Sequence, residues 1–445
     1  MRRLFAHCGI LAWKDETFDY IPDGYLGVDG DTIDYIGAEA PASAYDETRD
    51  YSGRLLMPGL INGHCHAAMT LLRGVGSDLP LDRWLFDEMF PVEDRMTAED
   101  IAAGNELAMM EMIASGTTSF SDMYMEPRTA IRSNEQIGMK MNVTRVVQSF
   151  DPAERPEDNF RLRESLELYE EQQNVQSGRV KIDFSIHAEY TCTDAAAAGY
   201  AQAVSKYRGE GARMHIHLSE TEKEQRECIK RHGLTPAAWF EKMGVFALPT
   251  GAAHCVWVTR EDREILRRSG VTVVHNPTSN LKLGSGFAPI PEMLDEGINV
   301  ALGTDGAASN NNLNLFEEMH LAAIIHNGYR RDAVLMKPEQ ILRMATVNGA
   351  RLQGRDDTGR LAVGMKADVI AVDFRRKAHL YPSFEPMAML VYAAQGSDVS
   401  MTMVDGRILY EDGRFFTLDP ERVLNNARAA VAHLYGGRRR TEEAK

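Results

Sequence analysis

No run of apolar residues in this 445-residue chain approaches the roughly 18 to 20 that a membrane span needs. The opening stretch is broken by His7 and then by Lys14-Asp15-Glu16, so neither a signal peptide nor an anchor is expected. Cysteine is scarce. The five residues at 8, 65, 192, 228 and 255 are widely spaced and form no C-x-x-C pair, which argues against a disulfide framework or a cysteine-ligated zinc and makes a reducing cytoplasm the expected setting. Positive charge is also in short supply. A formal charge of −16 disfavours a polymeric nucleic acid partner, because such proteins need basic faces to displace counterions. Arg438-Arg439-Arg440 reads as a solvated tail. No internal repeat or low-complexity segment is present.

What the chain does have is a set of metal-competent side chains at the ends of short apolar runs. Leu55-Leu56-Met57-Pro58-Gly59-Leu60-Ile61-Asn62-Gly63 reads as a buried strand entering a Gly-containing turn, and His64-Cys65-His66 follows. Side chains two apart on a strand face the same way, so the two imidazoles can each give a nitrogen to one divalent cation. Three further tips occur: Met214 to Glu220 with His215 and His217 both facing the interior, Gly251 to Cys255 with His254, and Val300 to Gly306 with Asp305. Between or beside them, Glu222 to Arg231, Glu261 to Ser269 and Ile290 to Glu296 have helical character. Strand, polar tip and helix in repetition predict an α/β fold, a (β/α)8 TIM-like barrel with its site at the C-terminal rim.

The two ends of the chain have a different texture. Leu4 to Trp13, Gly24 to Asp29 and Thr32 to Gly37 are short alternating segments, with Asp29-Gly30 as a hairpin signal. Similar segments return at Ala367 to Asp373 and Met401 to Tyr410. A barrel of about 250 to 300 residues leaves room for a smaller domain. The expected organisation is a barrel over 58–364 inserted into a small β-sandwich built from 1–57 and 365–418. Asp419-Pro420 then opens a closing helix, with the charged tail completing 419–445.

Ordered blocks along nearly the whole chain resemble the amidohydrolase superfamily, in its 5'-methylthioadenosine/S-adenosylhomocysteine deaminase branch. They are Pro58 to His66, Met69 to Gly74, Trp84-Leu85-Phe86, Pro91-Val92-Glu93-Asp94, His217-Leu218-Ser219-Glu220-Thr221, His275 to Gly284 and Thr304 to Asn311. The resemblance implies that His64, His66, His217 and Asp305 hold one divalent metal, with His254 near the metal's water and Glu220 as proton shuttle. It also implies that Glu93 accepts hydrogen bonds from ribose hydroxyls, that Trp84 walls the 5' substituent, and that His187 touches the purine. Arg145 and Arg161 resemble arginines that clamp a homocysteine carboxylate. Arg145 matches better, and Arg161 reads equally well as an exposed helix residue.

The chemistry of these side chains suits that assignment. Three neutral imidazoles and a carboxylate leave a position for water on the cation and lower its pKa from about 16 toward 7. Deamination of an amidine-type carbon also requires a carboxyl that moves protons to the ring and to the departing ammonia. The run Lys181 to Tyr190 places His187, rather than a lysine that would bridge two metals, at the tip of the fourth strand, so a single ion is expected. Zinc is the expected metal, with iron and manganese as alternatives. His215, two before His217, is expected as a satisfied core histidine beneath the metal, and His275 as a residue ordering its own loop.

The expected activity is conversion of 5'-modified adenosines to inosine analogues and ammonia, the substrates being S-adenosylhomocysteine, 5'-methylthioadenosine, 5'-deoxyadenosine or adenosine. Two alternatives stand beside it: an aminohydrolase of the same fold acting on guanine, a pterin or a triazine, and a non-catalytic scaffold. Glu93 argues against the first, because those substrates have no ribose, and the complete ligand set argues against the second. The His-x-Glu with Pro-Cys-x-x-Cys signature of the unrelated zinc deaminases is absent. The expected partner is a small nucleoside, with no nucleic acid or membrane. A homo-oligomer is an open expectation.

Overall fold

The computed structural model describes residues 1–375 and 377–436; the arginine tail lies outside them. Eight parallel strands follow one another in sequence order: Leu60–Cys65, Thr117–Tyr124, Lys140–Val147, Val180–Ile186, Met214–Leu218, Thr250–His254, Thr272–His275 and Val300–Leu302. The last strand returns beside the first, where the Asp305 N–H donates to the His64 carbonyl at 2.9 Å. This is the barrel, with helices in the connections between strands. Its strands are buried on both faces because side chains fill the interior and helices cover the outside.

Nine strands from the two ends of the chain form one separate mixed sheet. Its central junction is Arg54–Pro58 paired antiparallel with Val369–Asp373, so residues before and after the barrel meet in one ladder. Phe5, Ile10, Leu26, Leu56, Met401 and Met403 are buried together on this sheet. The apolar run Leu55 to Gly63, expected as one strand, is two. The chain leaves the terminal sheet at Pro58 and enters the barrel at Leu60. Gly59 makes the change possible, since a Cβ at that position would run into the Thr118 side chain. Continuous hydrophobicity hides the switch, because both segments are buried on both faces.

Helix signals near the rim behave as local chemistry dictates. Thr221 caps Glu222–His232 by accepting from Glu224 N–H, and Gly233, at φ 67°, ends it. Thr259 and Asp262 form a reciprocal capping box on Arg260–Arg268. The closing helix spans Pro420–Tyr435 with Asp419 as its cap. Among the described residues, no helix is long and apolar enough to cross a membrane.

Candidate active site

Four of the predicted tips meet at the C-terminal mouth of the barrel. His64 Nε2 lies 3.4 Å and His66 Nε2 3.2 Å from Asp305 Oδ1. His66 Nε2 and His217 Nε2 are 3.4 Å apart. His254 joins the group, with a ligand atom within 4.8 Å of those of His64 and Asp305. Each imidazole is fixed through its other nitrogen. His66 Nδ1 faces the Met123 carbonyl at 2.5 Å, His217 Nδ1 the His187 carbonyl at 2.8 Å, and His64 Nδ1 faces His215 Nε2 at 3.0 Å. The carbonyls can only accept, so His66 and His217 each carry a proton on Nδ1 and turn Nε2 inward.

The space between these atoms fits a divalent cation. His64 Nε2 is buried and has no hydrogen-bond partner, a costly position for an imidazole nitrogen unless something else binds it. Burial holds the His64 imidazole down at about 4 and drives His217 well below its ordinary range, leaving both neutral as metal ligands must be. Burial also disfavours charge on His66, but Asp305 outweighs it and raises that imidazole to about 9; a cation would take the place of that proton. Ser279 and Ser309 each donate a hydroxyl to Asp305 Oδ2 at 2.7 Å, which leaves Oδ1 toward the histidines.

Glu220 and His254 stand beside this cluster, with Glu220 Oε2 3.9 Å from His254 Nε2. His254 Nδ1 donates to Asn280 Oδ1 at 2.8 Å; burial disfavours charge on this imidazole, but Glu220 and Asp305 outweigh it and raise it above its ordinary range. Burial raises the Glu220 carboxyl above its ordinary range, with Asp305 adding to the effect and His254 opposing it. The backbone of this rim is strained: Ser219, His254, Cys255 and Asp305 have φ of 48°, 75°, 49° and 61°, a region that non-glycine residues enter at a cost.

A cavity of about 570 Å³ opens over these groups. His66, His187, His217, Glu220, His254 and Asp305 line its floor and inner wall; Trp84, Glu93, Tyr124, Arg145 and Arg161 line the rest. The structure therefore brings every expected site residue except His64 to one cavity, and His64 lies directly beneath, fully buried. Glu93 is pushed upward by burial, while a hydrogen bond from Tyr124 opposes the shift. His187 is held down to about 3 by burial and its histidine neighbours. Arg161 faces the cavity as well, its guanidinium 4.6 Å from the Phe160 ring centre.

Several supporting residues escaped sequence reasoning. His215 was read as a core residue but not as the partner of His64 Nδ1. Glu224 accepts from the backbone N–H of Ser219 at 2.9 Å and of Glu220 at 2.7 Å, fixing the turn that carries Glu220. The Thr-x-x-Glu spacing of Thr221 and Glu224 is a capping-box signal that marks it. Ser279 and Asn280 lie in a block already singled out, without a role, and Tyr124 had no signal.

A parallel barrel with three imidazoles and a carboxylate converging at its C-terminal rim defines the class of metal-dependent barrel hydrolases. The amidohydrolase family model matches residues 55–409. A 5-methylthioadenosine/S-adenosylhomocysteine deaminase of Thermoanaerobacter pseudethanolicus is 41% identical over 98% of this chain and 99% of its own. A 5'-deoxyadenosine deaminase of Methanosarcina mazei is 43% identical over 93% of this chain and 94% of its own. An adenosine deaminase from Xanthomonas campestris, solved with bound zinc, superposes with a TM-score of 0.90 at 29% identity, covering 98% of each chain. The chain belongs to the amidohydrolase family.

Proposed function

We propose that this protein is a metal-dependent hydrolytic deaminase that converts 5'-modified adenosines to the corresponding inosine analogues and ammonia. The observation that carries this reading is the joining, in one cavity, of a cation-binding cluster, Glu220 and His254 with a further carboxylate, Glu93, and the Trp84 ring. The relatives named above support the same chemistry.

His64, His66, His217 and Asp305 would hold the cation, and zinc is the ion we propose, in keeping with the donor set and the zinc in the Xanthomonas structure. When bound, it supplies Lewis acidity and brings the pKa of water toward neutrality. His254, held through Nδ1 by Asn280, orients the attacking water by hydrogen bonding. Glu220 moves protons: it takes one from the water whose oxygen bonds to the amino-bearing carbon and delivers it to the neighbouring purine nitrogen, and as the carbon–nitrogen bond breaks the amino group takes the water's second proton and leaves as ammonia. Burial shifts the Glu220 carboxyl above the ordinary carboxylate range, toward the protonated form that a proton carrier must adopt in part of its cycle. His187 sits against the purine and Glu93 accepts from the ribose hydroxyls, two donors sharing two oxygens. Arg145 and Arg161 face the 5' substituent. Cysteines that are all unpaired suit a reducing cytoplasm.

The test is incubation of zinc-reconstituted protein with S-adenosylhomocysteine, 5'-methylthioadenosine, 5'-deoxyadenosine, adenosine and guanine, following ammonia and the ultraviolet change from adenine to hypoxanthine. Turnover of the 5'-modified adenosines is expected. Ammonia from guanine alone would move the activity to another heterocycle.

A further inference from the structure

Arg145 projects from the third barrel strand into the cavity, and its guanidinium is held from outside. Glu164, on the helix Phe160–Gln172, accepts from Arg145 Nε at 2.6 Å. Glu164 is half exposed, with 51% of its side chain open to solvent against 13% for Arg145, and it does not line the cavity. The contact is to Nε, which leaves the four N–H bonds of the two Nη groups for other acceptors. Phe160 packs against the same guanidinium, 5.6 Å from its centre, and against that of Arg161 at 4.6 Å. Arg161 is the second cation of this corner, and its guanidinium is lowered by burial and by the charge of Arg145. Glu154, Glu164 and Asp94 offset part of that repulsion, and both arginines line the cavity, where an acceptor of opposite charge can meet them.

We infer that Glu164 is a positioning residue: by gripping Arg145 at Nε from behind the cavity wall, it aims the free Nη pair at a carboxylate on the 5' substituent. The inference rests on the deaminase reading and makes S-adenosylhomocysteine, whose 5' arm ends in an amino acid, the substrate that depends on Glu164. 5'-Methylthioadenosine, whose arm ends in a methyl group, does not depend on it. A guanidinium left to rotate loses its paired hydrogen bonds to the ligand, while catalysis at the purine end continues.

The experiment compares Glu164→Ala and Glu164→Gln with the unaltered enzyme, measuring kcat and KM separately on both substrates. An ion pair this exposed contributes little to stability, so both variants are expected to fold. Glu164→Ala should raise KM for S-adenosylhomocysteine by about 10-fold, the loss of one or two charge-assisted hydrogen bonds, with kcat and the methylthioadenosine parameters held. Glu164→Gln, whose amide oxygen still accepts from Nε, should recover most of that loss. Equal changes on both substrates would reduce Glu164 to a structural role and overturn the inference. So would a lower KM for S-adenosylhomocysteine, because Glu164 would then be competing with the substrate's carboxylate. An unaltered enzyme that deaminates methylthioadenosine but never S-adenosylhomocysteine overturns the inference alone; one that deaminates neither overturns the function reading as well.

Discussion

Glu220 sits one residue before a helix cap, its backbone held by Glu224 and its carboxyl beside His254. It makes no contact that the cation cluster needs. Glu220→Gln is therefore expected to keep its metal content, measured by elemental analysis, while turnover falls about 10²- to 10⁴-fold, the usual contribution of a positioned proton carrier. Normal turnover would remove Glu220 from the reaction. His215 has the opposite profile, because it touches His64 Nδ1 and no part of the cavity. His215→Leu should weaken metal affinity by about 10- to 100-fold, read by competition with a chelator. The convergence of the cluster's side chains was legible, because donors at the tips of parallel strands can only converge on one rim. The acceptor that fixes each Nδ1 was not. Met123 and His187 offer backbone carbonyls from other strands, and any residue type could supply them.

At the scale of elements, the helix Leu315–Arg330 reaches under the rim with one buried carboxyl. Glu318 accepts from Asn310 Nδ2 at 2.7 Å and from Thr278 N–H at 3.2 Å, and burial raises it from the ordinary 4.5 to about 8. Between those values the folded chain holds a proton that the unfolded chain has lost, so this carboxyl makes stability fall as pH rises. Thermal melts from pH 5 to 8 should show the unaltered protein losing ground against Glu318→Gln, with a slope of at most about 1.4 kcal/mol per pH unit for one proton. A constant gap would show that Glu318 does not titrate there. Such a carboxyl has no sequence signature; it looks like any helix glutamate until its surroundings are known. Five of the eight barrel strands were readable as short runs ending in polar tips, and the hairpin at Asp29-Gly30 from its alternation and turn residues; the strands Thr117–Tyr124, Lys140–Val147 and Thr272–His275 were not read. The change of sheet at Gly59 was not, because hydrophobicity is continuous across it.

Across the whole molecule, the barrel and the terminal sheet are joined by a buried ion cluster. Lys140 Nζ, at the start of the third barrel strand, lies 2.6 Å from both Asp368 and Asp405. Lys140→Met would leave the buried Asp368 without its cation, while Asp405 keeps Arg179 at 3.6 Å. It is expected to cost about 3 to 5 kcal/mol, seen as a lower urea midpoint, and an unchanged midpoint would mean that water reaches the pair. The pairing of Arg54–Pro58 with Val369–Asp373 has a consequence in time. During synthesis the first five strands emerge about 300 residues before the strand that completes their ladder. At about 5 to 20 residues per second they wait roughly 15 to 60 s. The barrel, whose strands pair in the order in which they are made, has its partners to hand first, and the sheet that frames it closes last.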